Sequence, residues 1–280
     1  MSPITAVRRT WSALKPPPST PDGTMSLYDH LRELRYRVIV SGLAVLVTTI
    51  VAAFFYTQLI AVVRSPWEQA VIDYQAANPG ASTLLVNKDV VSPFMLALQV
   101  SAVAGLITAC PVWLWQLWRF VVPALLENER RYAISFIGAA VPLFLAGCAL
   151  GYVVLPKGIA VMLEFTVQGV TNMQDVQDFL KLELLLILMF GLSFLLPVVL
   201  VMVNLAGVVT GEQLGKARTV AIFLCFVFGA VATPSTDPFS MIALSLPMAL
   251  MYLIAELICR RHDKRRAKRL AADEMSVSLD

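Results

Sequence analysis

Apolar residues fall into six long runs separated by polar stretches, and this alternation sets the first expectation for the fold. The runs lie at about 38–63, 94–118, 132–155, 182–203, 219–232 and 239–258. The only Asp, Glu, Lys or Arg residues inside those bounds are Glu183, at the start of the fourth run, and Glu256, near the end of the sixth. A helix rises about 1.5 Å per residue and the hydrocarbon of a bilayer is about 30 Å thick, so roughly 20 apolar residues cross it. The pattern predicts an all-α integral membrane protein with six transmembrane helices. The fifth and sixth spans are the short ones. At about 21 Å of helix, span 5 must be shielded, be extended by its neighbours, or sit in a thinned bilayer.

Between the runs, 64–92 and 156–181 read as polar loops, the first with a turn at Asn78-Pro79-Gly80. Residues 1–27, with Pro16-Pro17-Pro18, read as a flexible lead-in, with Met25 as an alternative start. The membrane domain is then 28–258 and a basic tail 259–280. Arg8-Arg9 is followed by no apolar stretch until Val38, so the pair receives no signal role. Pro66, Pro93, Pro123 and Pro197 are expected to shape loops and kinks, because proline has no amide donor for the preceding turn.

Composition agrees with the pattern. With 58% hydrophobic and 15% charged residues and a mean hydropathy of +0.73, the chain carries more apolar surface than one soluble core can hide. Net charge is only +3, yet the basic residues are unevenly placed. Eighteen of the 22 Lys and Arg lie on the N-terminal segment, the loops after spans 2 and 4, and the tail, whereas four (Arg64, Lys88, Lys157 and Lys181) lie on the other set of loops. The positive-inside rule then places both termini in the cytoplasm. The cluster Arg260–Arg269 abuts an apolar run, which reads as a juxtamembrane segment rather than a nucleic-acid site.

Little chemistry remains for an enzyme. There is no H-E-x-x-H, G-x-S-x-G or phosphate-cradling loop, and the four cysteines are scattered without metal spacing, so neither a metal nor a cofactor is expected. His30 and His262, the only histidines, read as solvated. Trp113, Trp115 and Trp118 suggest an interfacial end of span 2, and Gly147-x-x-x-Gly151 permits close helix contact. A small-solute carrier would need polar residues such as Gln99, Gln116 and Asn204 to converge; a membrane scaffold is the third reading.

The motifs that narrow the choice flank the spans. They are His30-Leu31-Arg32-Glu33-Leu34-Arg35, Pro123-Ala124-Leu125-Leu126-Glu127-Asn128-Glu129-Arg130-Arg131, Ser65-Pro66, Ser92-Pro93-Phe94 and Gln116-Leu117-Trp118-Arg119-Phe120. Phe190-Gly191-Leu192-Ser193-Phe194 before Pro197, and Thr233-Pro234 leading to Asp237, complete the series. In these motifs and their order, over about residues 27–258, the chain resembles the TatC family of twin-arginine protein translocase subunits.

That resemblance implies a multi-pass protein of the bacterial plasma membrane that receives folded cargo bearing a twin-arginine signal peptide. It also implies TatA/TatB-type single-span partners, homo- or hetero-oligomers in contact with membrane lipid, and export driven by the proton-motive force. It assigns signal-peptide binding to Glu33 and Glu129, with Arg35 beside them, and partner or structural roles to Pro66, Phe120, Pro197 and Asp237. Guanidinium forks engage carboxylates through paired, charge-assisted hydrogen bonds, which suits two acidic positions to two arginines. The competing assignment pairs Glu33 with Arg37 at i, i+4 and lets Glu129 balance Arg130 and Arg131. Asp237 equally suits a cap on span 6. Leu195 and Met241 depart from the family, whose members often carry a glutamate or glutamine at the first position and a glutamine at the second, and weaken the expectation of a polar anchor for a partner helix.

Overall fold

Helices form wherever the apolar runs predict them, and the breaks between them are largely a matter of missing amide donors. The computed structural model describes residues 27–78, 83–121, 130–165, 172–205, 207–232 and 238–277. In chain order the elements are α1 (Leu27–Phe54), α2 (Tyr56–Ala77), β1 (Thr83–Val86), α3 (Ser92–Thr108), α4 (Cys110–Val121) and α5 (Arg130–Glu164). They continue with β2 (Asn172–Asp175), α6 (Val176–Phe194), α7 (Leu196–Leu205), α8 (Gly211–Lys216), α9 (Arg218–Ala232) and α10 (Pro238–Val277).

Among the described residues four stretches, Tyr28–Phe54, Gly138–Glu164, Val176–Leu205 and Pro238–Arg269, are long and apolar enough to cross a membrane. The pair α3–α4, bent by 57°, supplies a fifth if taken as one span, and α9 is a shorter apolar helix. The second run is thus broken rather than continuous. Pro111, at the second position of α4, has no N–H to return to the turn before it, and the helix restarts at Cys110. Pro197 does the same at the second position of α7, after the break at Leu195.

Elsewhere helix extends further than hydropathy suggested. The first run divides at Phe55, and α2 then carries on through Arg64 and Pro66 to Ala77. The loop expected from Arg64 therefore begins more than three turns later. Pro66 cannot donate to the Val62 carbonyl, but the hydroxyl of Tyr152 in α5 donates to that oxygen at 2.9 Å, and Ser65 Oγ pairs with the same hydroxyl. A neighbouring helix thereby repairs the ladder and keeps the proline inside a helix. The third run continues through Pro156 to Glu164, and the sixth runs unbroken through the basic segment to Val277.

Among the described residues the all-helical expectation has one exception. β1 and β2 pair in parallel, with Thr83 opposite Asn172 and Val86 opposite Asp175, tying the two long loops together. Of the predicted Asn78-Pro79-Gly80 turn, Pro79 and Gly80 lie outside the described residues.

The fold is organised around the seam between α5 and α6. A Cβ at Gly147 would lie 2.6 Å from the Phe190 carbonyl oxygen, and one at Gly191 2.5 Å from Cys148 Sγ. The small residues of the Gly147-x-x-x-Gly151 motif therefore serve contact within this chain. On one side of the seam Cys110, Leu114 and Trp118 of α4 pack with Phe144, Ile187 and Leu195; on the other Trp67, Ala70, Leu96 and Val100 pack with Ile159, Leu180 and Leu184. A third cluster, of Val201, Leu205, Leu214, Tyr252 and Cys259, joins α7 and α8 to α10.

Gly147→Val drives a branched side chain into backbone and is expected to destabilise by about 1–3 kcal/mol or more. Gly42, with nothing within 4 Å of its would-be Cβ, should accept alanine without loss. Thermal unfolding of the two variants in detergent compares them.

Asp175 caps α6, accepting from the amides of Gln177 at 2.8 Å and Asp178 at 3.2 Å, with Lys88 Nζ 3.7 Å from its other oxygen. Burial opposes its charge, but the Asp178 and Gln177 amides and the Lys88 ammonium outweigh it and hold the carboxyl below the ordinary aspartate range. A lowered native pKa means that the stabilisation is complete above the unfolded-state value and fades as pH falls through the native one. Melting temperature measured from about pH 6 to about pH 3 should drop more steeply for wild type than for Asp175→Asn.

Candidate functional site

The first turns of α1 lie against α4, and this contact joins two of the motifs singled out in the sequence. Glu33 and Arg37 face inward, 3% and 6% exposed, on the same side of α1. Arg37 donates from Nε to Glu33 Oε1 at 3.0 Å and also from Nη2 to the same oxygen. Its Nη1 reaches Gln116 Oε1 of α4 at 3.4 Å. One turn earlier, the His30 ring stacks on Phe120 with centroids 4.3 Å apart and planes 19° from parallel. His30, expected to be solvated, is half-buried against an aromatic face, which covers its apolar surface.

The pairing expected as the competing assignment is therefore present, but it is lopsided. Both Arg37 contacts go to one carboxylate oxygen, while Glu33 Oε2 is buried and meets no hydrogen-bond partner among the described residues. A bare acceptor on a carboxylate is costly, and it gives the site an unused capacity to receive an N–H donor. Arg35, two residues on, is exposed on a different face of α1. Glu129 and Asp237 lie outside the described residues.

Two of the remaining candidates shape the frame. Pro66 is buried in α2 and Pro197 in α7. Leu195 is 8% exposed and packs among Phe144, Trp118 and Val198, so its apolar side chain suits its surroundings. Trp118 belongs to this core as well, and Trp113 sets its ring edge-on to Phe144 and donates to the Leu106 carbonyl. Of the three tryptophans thought to mark an interface, only Trp115 is exposed.

A second polar cluster was not assembled by sequence reasoning. Glu256 of α10, only 2% exposed, accepts from Arg218 Nε at 2.9 Å and Nη2 at 2.7 Å, and pairs with Arg260 Nε at 2.8 Å. One turn beyond Arg260, Asp263 Oδ2 takes the Gly211 amide at 2.6 Å and Oδ1 the Asn204 side chain at 3.1 Å, while the Tyr252 hydroxyl donates to the Leu214 carbonyl at 2.8 Å. These bonds fasten α7, α8 and α9 to α10. The signal available in the sequence was a lone acid, Glu256, four residues before a basic run.

The model of the Sec-independent protein translocase protein TatC matches residues 29–247. The chain is 36% identical to a TatC protein of Frankia casuarinae over 89% of its own length and 69% of the relative's. It is 35% identical to one of Xylanimonas cellulosilytica, covering 88% of each chain. This chain belongs to the TatC family. A solved structure described as the twin-arginine translocase receptor TatC superposes with a TM-score of 0.67 at 30% identity, covering 82% of this chain and 98% of that one. A second, of the same receptor in DDM, gives 0.68.

As a TatC-family translocase component the chain is a membrane transport protein and not an enzyme. Of the polar residues that a small-solute carrier would need to converge, Gln99 has a buried Oε1 with no partner among the described residues, whereas Gln116 is engaged by Arg37, and Asn204 by Val209 and Asp263. The last two serve contacts between neighbouring segments.

Arg37→Ala leaves Glu33 buried without its cation and should cost about 3–5 kcal/mol. The double variant Glu33→Gln/Arg37→Gln should recover much of that loss. Unfolding of the single and double variants in detergent reads the difference, and additive losses would show that the pair is not coupled.

Proposed function

We propose that this chain is the subunit that receives twin-arginine signal peptides on the cytoplasmic side of a bacterial plasma membrane, with Glu33 and Glu129 engaging the arginines. The observation that carries the reading is the half-satisfied Glu33 carboxylate: Arg37 holds one oxygen and orients the group, while the buried Oε2 accepts from no group among the described residues. An arriving guanidinium supplies such a donor. The Phe120–His30 stack beside it offers apolar surface to the residues that follow the arginine pair. Arg35, exposed nearby, would contact lipid phosphate or orient the acidic site.

The layout supporting this role has six crossings, counting α3–α4 as one bent span and α9 as a short fifth. Both termini are cytoplasmic, in keeping with the uneven distribution of Lys and Arg. Residues 1–27 serve as a lead-in, 28–258 as the membrane domain and 259–280 as a basic tail. Asp237 immediately precedes α10, whose first residue is Pro238, and suits the cap of that helix. Single-span TatA/TatB-type subunits complete the translocase. Because Leu195 is part of an apolar core, their helices would rely on shape and backbone approach at that level rather than on a polar anchor.

Photo-crosslinking of a twin-arginine precursor to inverted membrane vesicles tests the receptor role. Glu33→Ala and Glu129→Ala should each weaken crosslinking roughly tenfold or more, in line with the loss of one charge-assisted hydrogen bond. Equal crosslinking of wild type and both variants would refute the assignment.

A further inference from the structure

Glu183 is the buried acid of α6, and the receptor role makes no use of it. It is 1% exposed, and both carboxylate oxygens are buried with no hydrogen-bond partner among the described residues. It lines a cavity of about 560 Å³ walled by Trp67 of α2, Gly151 and Gly158 of α5, Phe190 of α6 and Phe239 of α10. Cavities of about 300–1,000 Å³ are the size that holds a ligand. Gln174 and Ser240 are the other polar side chains on the wall, and none of the lining residues is basic.

Two demands follow from this arrangement. The wall is overwhelmingly apolar, so the occupant must present hydrocarbon. The acid meets no donor among the described residues, so an occupant that brings an N–H, preferably on a cation, would complete it. A membrane protein is surrounded by molecules that combine both features. We propose that the cavity binds a phospholipid with a primary-ammonium headgroup, the ammonium donating to Glu183 and an acyl chain lying along Trp67, Phe190 and Phe239. A quaternary ammonium carries the charge but has no N–H, and an anionic headgroup is repelled, so the site should sort lipids by headgroup chemistry. This inference does not rest on the signal-peptide reading, since Glu183 lies on α6 and Glu33 on α1.

The full-length protein, delipidated in detergent, is titrated with dioleoyl phosphatidylethanolamine, phosphatidylcholine or phosphatidylglycerol, and bound lipid is counted by native mass spectrometry. Wild type should retain the ethanolamine lipid at least about fivefold more strongly than the other two. Glu183→Gln should reduce that preference to less than about twofold, and Glu183→Leu should abolish it. Equal retention of the three lipids by wild type overturns the proposal, as does a preference that survives in Glu183→Leu. Retention of none of them overturns it too. The comparison among lipids is made on wild type, so a variant that fails to fold does not shelter the idea. A signal-peptide crosslinking defect in Glu33→Ala, alongside no lipid preference, would sink this proposal and leave the receptor role intact.

Discussion

The approach of α5 to α6 is the constraint on which the rest of the structure depends. Gly147 and Gly151 bring α5 so near the Ile187–Gly191 turn of α6 that carbonyl oxygen, Cα and ring atoms occupy the space side chains would need. In lipid, helices gain little from hiding apolar surface, because the solvent is itself apolar; dispersion over a close interface has to hold them together. The seam supplies that interface. The two larger apolar clusters are then built against its faces, one reaching α4 and α7 and the other α2 and α3. Positions of Glu33, on a helix packed against α3 and α4, and of Glu183, on the seam helix itself, are both inherited from it.

Polar groups inside such a frame divide by how fully they are satisfied. The Val62 carbonyl released by Pro66 is answered by Tyr152, and the Thr48 hydroxyl donates to the Gly105 carbonyl at 2.8 Å where α1 and α3 nearly touch. Glu256 is surrounded by two guanidinium groups, and Asp263 by an amide and a carboxamide. Those acids are complete and act as fasteners. Glu33 is half complete and Glu183 has no partner among the described residues. An incomplete buried carboxylate carries a cost that protonation or a ligand's donor can offset.

Hydropathy recovered the helical class and the location of the apolar helices among the described residues, because long runs of low charge admit few other solutions. It misjudged their ends. Helix α2 outlasts its apolar run by fourteen residues, from Val63 to Ala77, since Trp67, Ala70 and Tyr74 form a buried stripe that favours helix where mean hydropathy has already fallen. The bend at Pro111 is a local event that a window average cannot resolve. The parallel β1–β2 pair was invisible, because its strands are four residues each and separated by 85 residues of chain. At the site, the i, i+4 spacing disclosed the Glu33–Arg37 pair, but not that both contacts fall on one carboxylate oxygen or that Arg37 also reaches Gln116 of α4.

Leu195 shows why the same residue can look like a defect in the sequence and a fit in the structure. It sits at the break between α6 and α7, where the Leu195 amide bonds back to Leu192 and where Pro197 withholds a donor from the turn before it. A polar side chain placed there would have to share Phe144, Trp118 and Val198 as neighbours. Leucine fills the position without a desolvation cost. Glu183 lies twelve residues earlier, a little over three helical turns, on the side of α6 that faces the α5–α10 cavity. The buried acid of this helix therefore stands beside the cavity, and the break at Leu195, packed within the core, is left apolar.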